Sequence, residues 1–133
     1  MTDEQRARFD ALVDVVLESL PPDILAMFEE VPLLVDDEPD PRVLREFGLD
    51  PGSAEYRASL CGLHTGVAMT ERSVEDDGVL PSQVHIYRLG IVSFAGGWGD
   101  EAELQRQIRI TILHELGHEF GLDEDDLDGL GYA

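Results

Sequence analysis

Apolar positions recur at helical spacing along "DEQRARFDALVDVVLESL" (residues 3–20), where Phe9, Leu12, Val13, Val16, Leu17 and Leu20 share one face. Asp3 and Glu4 fall in the first turn, where the helix dipole favours negative charge. Pro21-Pro22 ends this helix, and "PPDILAMFEE" predicts a short second one with Pro22 near its start. "VPLLVDDEPDP" (31–41) reads as a short strand running into an acidic, proline-rich turn. Residues 42–60 read as a weak helix and then a loop centred on Asp50-Pro51-Gly52. "LHTGVAMTERS" (63–73) predicts a strand with a glycine break, and "VEDDGVLPS" (74–82) a turn-rich connection. β-branched and aromatic residues fill "QVHIYRLGIVSFA" (83–95), which predicts the strongest strand of the chain. A glycine-rich loop, "GGWGD", leads into a long helix from Glu101 to Phe120 that stops at Gly121. There is no internal repeat and no low-complexity linker. This order predicts an α+β fold over residues 1–133, a single domain with helices packed on a small antiparallel or mixed sheet.

The last helix carries the chemistry. Leu104, Ile108, Ile112, Leu116 and Phe120 form an i+4 stripe, flanked by Ile110, Leu113 and Gly117. A helix this apolar is largely buried. Its remaining strip holds Gln107, Thr111, His114, His118 and then Gly121, so the two histidines lie on the face able to line a cleft. Residues four apart on a helix are neighbours, with Cβ atoms about 5–6 Å from each other. Two imidazoles so placed can meet one Zn²⁺ at about 2.0–2.1 Å. Glu115, beside His114, is placed to act as a general base rather than a ligand. His114, Glu115 and His118 spell H-E-x-x-H, and Gly121 follows three residues after His118. That glycine allows the sharp turn that returns a third ligand to the metal. A small residue at Gly117, in mid-helix, suggests a close backbone neighbour there.

Composition narrows the partners. Nine basic against 29 acidic residues give a net charge of −20. Nucleic acid requires a basic footprint, and anionic membrane surfaces likewise attract cationic chains. Neither is expected as a partner. No apolar run approaches membrane-spanning length, "MTDEQRARFD" lacks the apolar core of a secretion signal, and Cys61 is the single cysteine. The expected compartment is the cytoplasm.

Three stretches, "GVAMTERS", "LPSQVHIYR" and "ILHELGHEFGLDEDDLDGLGY", resemble the small bacterial zincin-like metallopeptidases, the mini-zincins. The resemblance spans roughly residues 5–133 and is strongest from residue 63 onward. It implies a minimal zincin domain with the motif H-E-x-x-H-x-x-G-x-x-D. His114 and His118 then match the metal ligands, Glu115 the catalytic base and Gly121 the turn. The tenth residue after His114 is Glu124, a glutamate where the family pattern has aspartate, with Asp123 and Asp125 on either side. "LDEDDLDGL" predicts a short helix for which Asp123 is a suitable N-cap, with Asp126 three residues on. That leaves Glu124 as the expected third ligand and Asp123 as the alternative. The longer metzincins place a methionine turn beneath the metal, but no methionine follows Met69. By resemblance Tyr132 takes the supporting place, the alternative being an ordinary terminal residue.

The other candidates are plainer. His85 alternates with Val84 and Ile86 and is expected to be a solvated or hydrogen-bonded strand histidine; His64 is the fourth histidine of the chain. Cys61 reads as a small buried hydrophobe. Trp98 reads as a plug over a helix end, with an exposed residue on a lid as the alternative. Arg72 and Glu71 could form an ion pair. The function expected is zinc-dependent hydrolysis of a peptide or protein substrate by a monomer or homodimer. A strand from 83–95 is expected to offer a sheet edge to an extended peptide. A metal-binding or protein-interaction module without turnover is the alternative, since the chain has no room for the C-terminal subdomain that walls the cleft in larger zincins.

Overall fold

The computed structural model describes residues 1–46, 60–65 and 83–120. The elements run α1 (Asp3–Ser19), α2 (Pro22–Met27), β1 (Leu33–Asp36), α3 (Pro41–Glu46), β2 (Gly62–Thr65), β3 (Gln83–Tyr87), α4 (Arg88–Phe94) and α5 (Glu101–Phe120).

α1 starts where its chemistry says it should. Thr2 accepts from the Gln5 amide at 3.1 Å, and the Gln5 side chain accepts from the Thr2 amide at 3.0 Å. This reciprocal pair satisfies two of the amides a helix start leaves unpaired. Phe9, Leu12, Val13 and Val16 are buried, as is Leu20 at the C-cap. They meet Leu104, Ile108, Ile112, Leu113 and Leu116 of α5 in one core cluster. Each such side chain taken from water contributes about 1.5–3 kcal/mol. Asp100 opens α5 by accepting from the Glu103 amide at 3.1 Å. At the far end of α1, Ser19 accepts from Arg109 of α5 at 3.0 Å.

The sheet is mixed, as expected, in the order β1-β3-β2. β1 runs parallel to β3 with Leu33 opposite Val84, and β2 runs antiparallel to it with Gly62 opposite Ile86. Val84 and Ile86 enter the core cluster. A cluster of charges pins the sheet end to α1. Asp37 accepts from Arg6 at 2.8 Å and from Arg88 at 3.0 Å, while Arg88 also reaches Asp10 at 2.9 Å. The Arg6 hydrogen bond, more than any other contact, holds the Asp37 carboxyl below the usual carboxylate range.

Two expectations about residues 83–95 are overturned. The strand ends at Tyr87, and Arg88–Phe94 is helical. The burial shows why. Tyr87, Ile91 and Ala95 are buried at intervals of four, and Ile91 and Val92 are buried side by side while Ser93 and Phe94 are both exposed. A strand alternates faces and cannot bury adjacent residues this way against one core. Gly90 sits where a Cβ would collide with the Leu60 carbonyl, so glycine lets α4 pack on that backbone. Core packing here overrides the β-propensity of the segment. Nor does β3 present an edge, because β1 and β2 hydrogen-bond to its two sides.

His85 is also not solvated. It is buried at 8% exposure, and its Nε2 has no hydrogen-bond partner among the described residues. Its ring stacks on Tyr87 with centroids 6.3 Å apart. Burial pushes its pKa down. Trp98 packs against the core under the Arg8 guanidinium, 5.4 Å from the ring centroid. It lies before the start of α5, and His114 is 13 residues beyond that start, roughly 20 Å along the axis. That distance fits the plug and excludes a lid over the histidines.

Candidate active site

α5 runs over the full span expected for it, so the spacing of the motif becomes geometry. His114 and His118 lie on one face, their Nε2 atoms 2.9 Å apart and their rings edge to face with centroids 4.4 Å apart. Two neutral imidazoles at this distance share one proton, one Nε2–H donating to the other lone pair. A tetrahedral zinc bonded at about 2.0–2.1 Å would hold the same nitrogens about 3.3 Å apart. A few tenths of an ångström of side-chain rotation separates the two arrangements. The donor pair therefore fits a metal in spacing and in chemistry. No cluster of three or more His, Cys, Asp or Glu able to hold a metal occurs among the described residues. The described residues thus bring two of the expected donors, His114 and His118, together. Gly121, Asp123, Glu124 and Tyr132 lie outside the described residues, as do Met69, Glu71 and Arg72 and the side chains of His64 and Phe120.

His114 and Glu115 are half-buried, while His118 is exposed. His114 and Glu115 form one end of a cleft of about 310 Å³. The expected polar strip of α5 supplies much of its wall through Gln107, Thr111 and His114. Thr111 is buried and turns its hydroxyl back to the Gln107 carbonyl at 2.8 Å. Its methyl, rather than its hydroxyl, is therefore the part available for packing toward β2.

The opposite wall comes from residues the sequence reading did not place here. Leu60, Cys61 and Gly62 lead into β2, and Phe94 closes α4. Gly62 is the closest approach. A Cβ there would lie 2.9 Å from both Glu115 Cγ and Thr111 Cγ2, and 3.0 Å from the His85 carbonyl oxygen. Glycine lets the strand lie directly on the face of the helix that carries Thr111 and Glu115. Gly62 lies one residue before the strand predicted from residue 63, so the sequence pattern did not mark it as a close approach. Gly117, for which such a neighbour was expected, is buried.

Cys61, expected as a small buried hydrophobe, is half-buried, packs against the core and also lines the cleft. Burial, and then the negative charge of Glu115, push its thiol up to about 11. Tyr87 is shifted upward too, first by burial and then by Asp36, Glu115 and Asp40. The negative charge of Glu115 thus acts on both neighbouring groups across the poorly solvated wall of the cleft.

A larger hollow, about 480 Å³, lies between Arg6, Arg88 and the Asp36–Pro41 turn. Both of its guanidiniums are committed to Asp37, so it is a structural charge cluster. No helix among the described residues is long and apolar enough to cross a membrane.

No curated protein matches the chain. The family model described as zincin-like metallopeptidase matches residues 28–132, which takes in β1, the whole sheet, α4, α5 and the H-E-x-x-H motif. α1 falls before the matched span, although it shares the core with α5. With its paired histidines on a buried helix, laid against a small mixed sheet, the chain belongs to the zincin-like metallopeptidase family.

Proposed function

We propose that this protein is a zinc-dependent peptidase in which His114 and His118 bind the metal and Glu115 moves the proton. The observation that carries the reading is the convergence of the two Nε2 atoms at 2.9 Å beside a half-buried carboxylate at the end of a cleft. Glu124 completes the ligand set, with Asp123 as the competing donor. Zinc supplies Lewis acidity toward the scissile carbonyl and lowers the pKa of water toward neutrality. Glu115 accepts the proton of the attacking water and returns it to the leaving amine. The walls from Leu60 to Gly62 and from Gln107 to Thr111 exclude solvent on one side of the reacting bond. The supporting role falls to Tyr132, on the family pattern alone.

The test is zinc content and peptide hydrolysis of protein purified without chelator. The wild type should hold close to one zinc per chain and cleave a peptide library. Glu115→Gln should keep zinc and fold and lose about 10²–10⁴-fold in rate. Glu124→Ala should lose at least about tenfold in zinc affinity, while Asp123→Ala should cost about 1 kcal/mol of stability as a lost cap. The reverse pattern would move the third ligand to Asp123. Stoichiometric zinc with no cleavage of any peptide would favour a metal-binding module without turnover.

A further inference from the structure

We propose that the cleft beside His114 and Glu115 is a subsite for one large apolar side chain of the substrate, and that Phe94 is the residue that selects it. The inference rests on the peptidase reading for its occupant and on the structure for its chemistry. Leu60, Phe94 and Ile110 supply the apolar surface of the cleft, and Gln107 closes the end away from the histidines. The ionisable groups lining it among the described residues are His114, Glu115 and Cys61, all at the reacting end or against β2. The thiol stays neutral, its titration pushed far above physiological pH. No basic or acidic side chain among the described lining residues stands ready to meet a charge deeper in the cleft.

Phe94 is the unusual member. It is 65% exposed, the most exposed of the large hydrophobic residues described. A surface aromatic at the mouth of a cleft is the kind of residue that carries binding energy in protein recognition. Its position depends on α4 being a helix. In the strand predicted for 83–95, Phe94 would fall on the same face as the buried Val84 and Ile86. The helical turn instead brings it to the cleft mouth while Ile91 and Val92 stay in the core.

Dimensions agree with a single side chain. Gln107 and His114 are seven residues apart on α5, about 10 Å along the axis. An extended peptide advances about 3.3 Å per residue and sends alternate side chains to opposite faces. A residue adjacent to the scissile bond can therefore place its side chain along this wall while its neighbours project elsewhere. Leucine, methionine, phenylalanine and tyrosine fit in size and polarity. Lysine, arginine, aspartate and glutamate would lose their hydration against Leu60 and Ile110 without a partner.

The experiment has two arms, so that the subsite and the peptidase reading can fail separately. In the first, N-acetyl-phenylalaninamide and N-acetyl-lysinamide are titrated into the isotope-labelled, metal-free full chain and followed by NMR. The phenylalanine compound should bind at least about tenfold more tightly, with the Ile110 methyl and the Phe94 ring among the resonances that move. Phe94→Glu should abolish that preference, and Phe94→Leu should restore most of it. Equal binding of the two compounds, or shifts confined to another surface, would overturn the subsite. In the second arm, the zinc-loaded wild type and Phe94→Glu are given a peptide library. Wild-type cleavage sites should carry a large apolar residue on one side of the bond, and Phe94→Glu should shift the profile toward lysine and arginine. Cleavage without such bias would sink the subsite and leave the peptidase reading standing. Ligand discrimination in the first arm with no cleavage in the second would support the subsite and reject the hydrolysis.

Discussion

Replacing Gly62 with alanine tests how β2 and the motif helix are fitted together. Gly62 does not have a positive φ, which among the described residues is found only at Gly96 and Gly97. Alanine can therefore adopt its backbone conformation, and any cost must come from contact. The added methyl would sit 2.9 Å from Glu115 Cγ and Thr111 Cγ2, and 3.0 Å from the His85 carbonyl oxygen. Ordinary carbon contacts begin near about 3.5 Å, so two side chains must each give way by roughly half an ångström. The backbone carbonyl cannot give way alone, because β3 is held from both sides. Overpacking of this kind costs about 1–3 kcal/mol. The reduced entropy of the unfolded chain returns about 0.4–1 kcal/mol. The net loss should be about 1–2 kcal/mol, or a fall in Tm of several degrees, roughly 3 °C per kcal/mol for a chain of this size. Glu115 is the group most able to move, so the variant should lose hydrolysis beyond what its stability explains. Urea denaturation gives the first number and a peptide assay on folded protein the second. The decisive measurement is the cycle with Glu115→Ala. Removing Cγ should relieve part of the clash, giving a coupling of at least about 0.5 kcal/mol. Additive losses, or a Gly62→Ala variant as stable and active as wild type, would show that β2 does not lie on Glu115 as described.

His85 should make the protein sensitive to mild acid. Its folded pKa is depressed by burial, so the unfolded chain takes up the proton first, near pH 6.5, and stability present above that pH is lost as the pH falls below it. His85→Leu should flatten the decline in Tm between about pH 7 and pH 5, and an unchanged decline would assign it to other groups. Asp37 acts in a lower window. Its pKa is depressed chiefly by Arg6, so its contribution is present above the unfolded value near 3.8 and is lost as pH falls through the folded one. Asp37→Asn should shrink the loss of stability below about pH 4, measured by acid titration of the circular dichroism signal. Cys61, with its thiol pushed up to about 11, should react with iodoacetamide at pH 8 at least about 100-fold more slowly than in urea-unfolded protein; equal rates would place the thiol in open solvent. Zinc affinity should fall as the pH is lowered, because protons compete with the metal for its ligands, and a calorimetric affinity independent of pH would remove His114 and His118 from the ligand set.

The two long helices were legible because their information is local. The 3.6-residue period of apolar positions in residues 3–20 and 101–120 names both the element and the buried face, and the i,i+4 spacing of His114 and His118 becomes a shared face once the helix exists. Core positions such as Phe9, Ile108 and Leu116 follow from the same period. What tertiary structure decided is the matter of which element lies against which. Residues 88–94 have strand-like composition, yet they are helical because Ile91 and Val92 must both enter the core and Gly90 admits the Leu60 backbone. β3 became the centre of the sheet through hydrogen bonds to segments about 50 and 20 residues earlier in the chain, pairings that no local pattern specifies. Cys61, Gly62 and Phe94 reach the cleft for the same reason. Each looks ordinary beside its sequence neighbours, and each gains its place only when β2 and α4 close on the face of α5 that carries Thr111, His114 and Glu115.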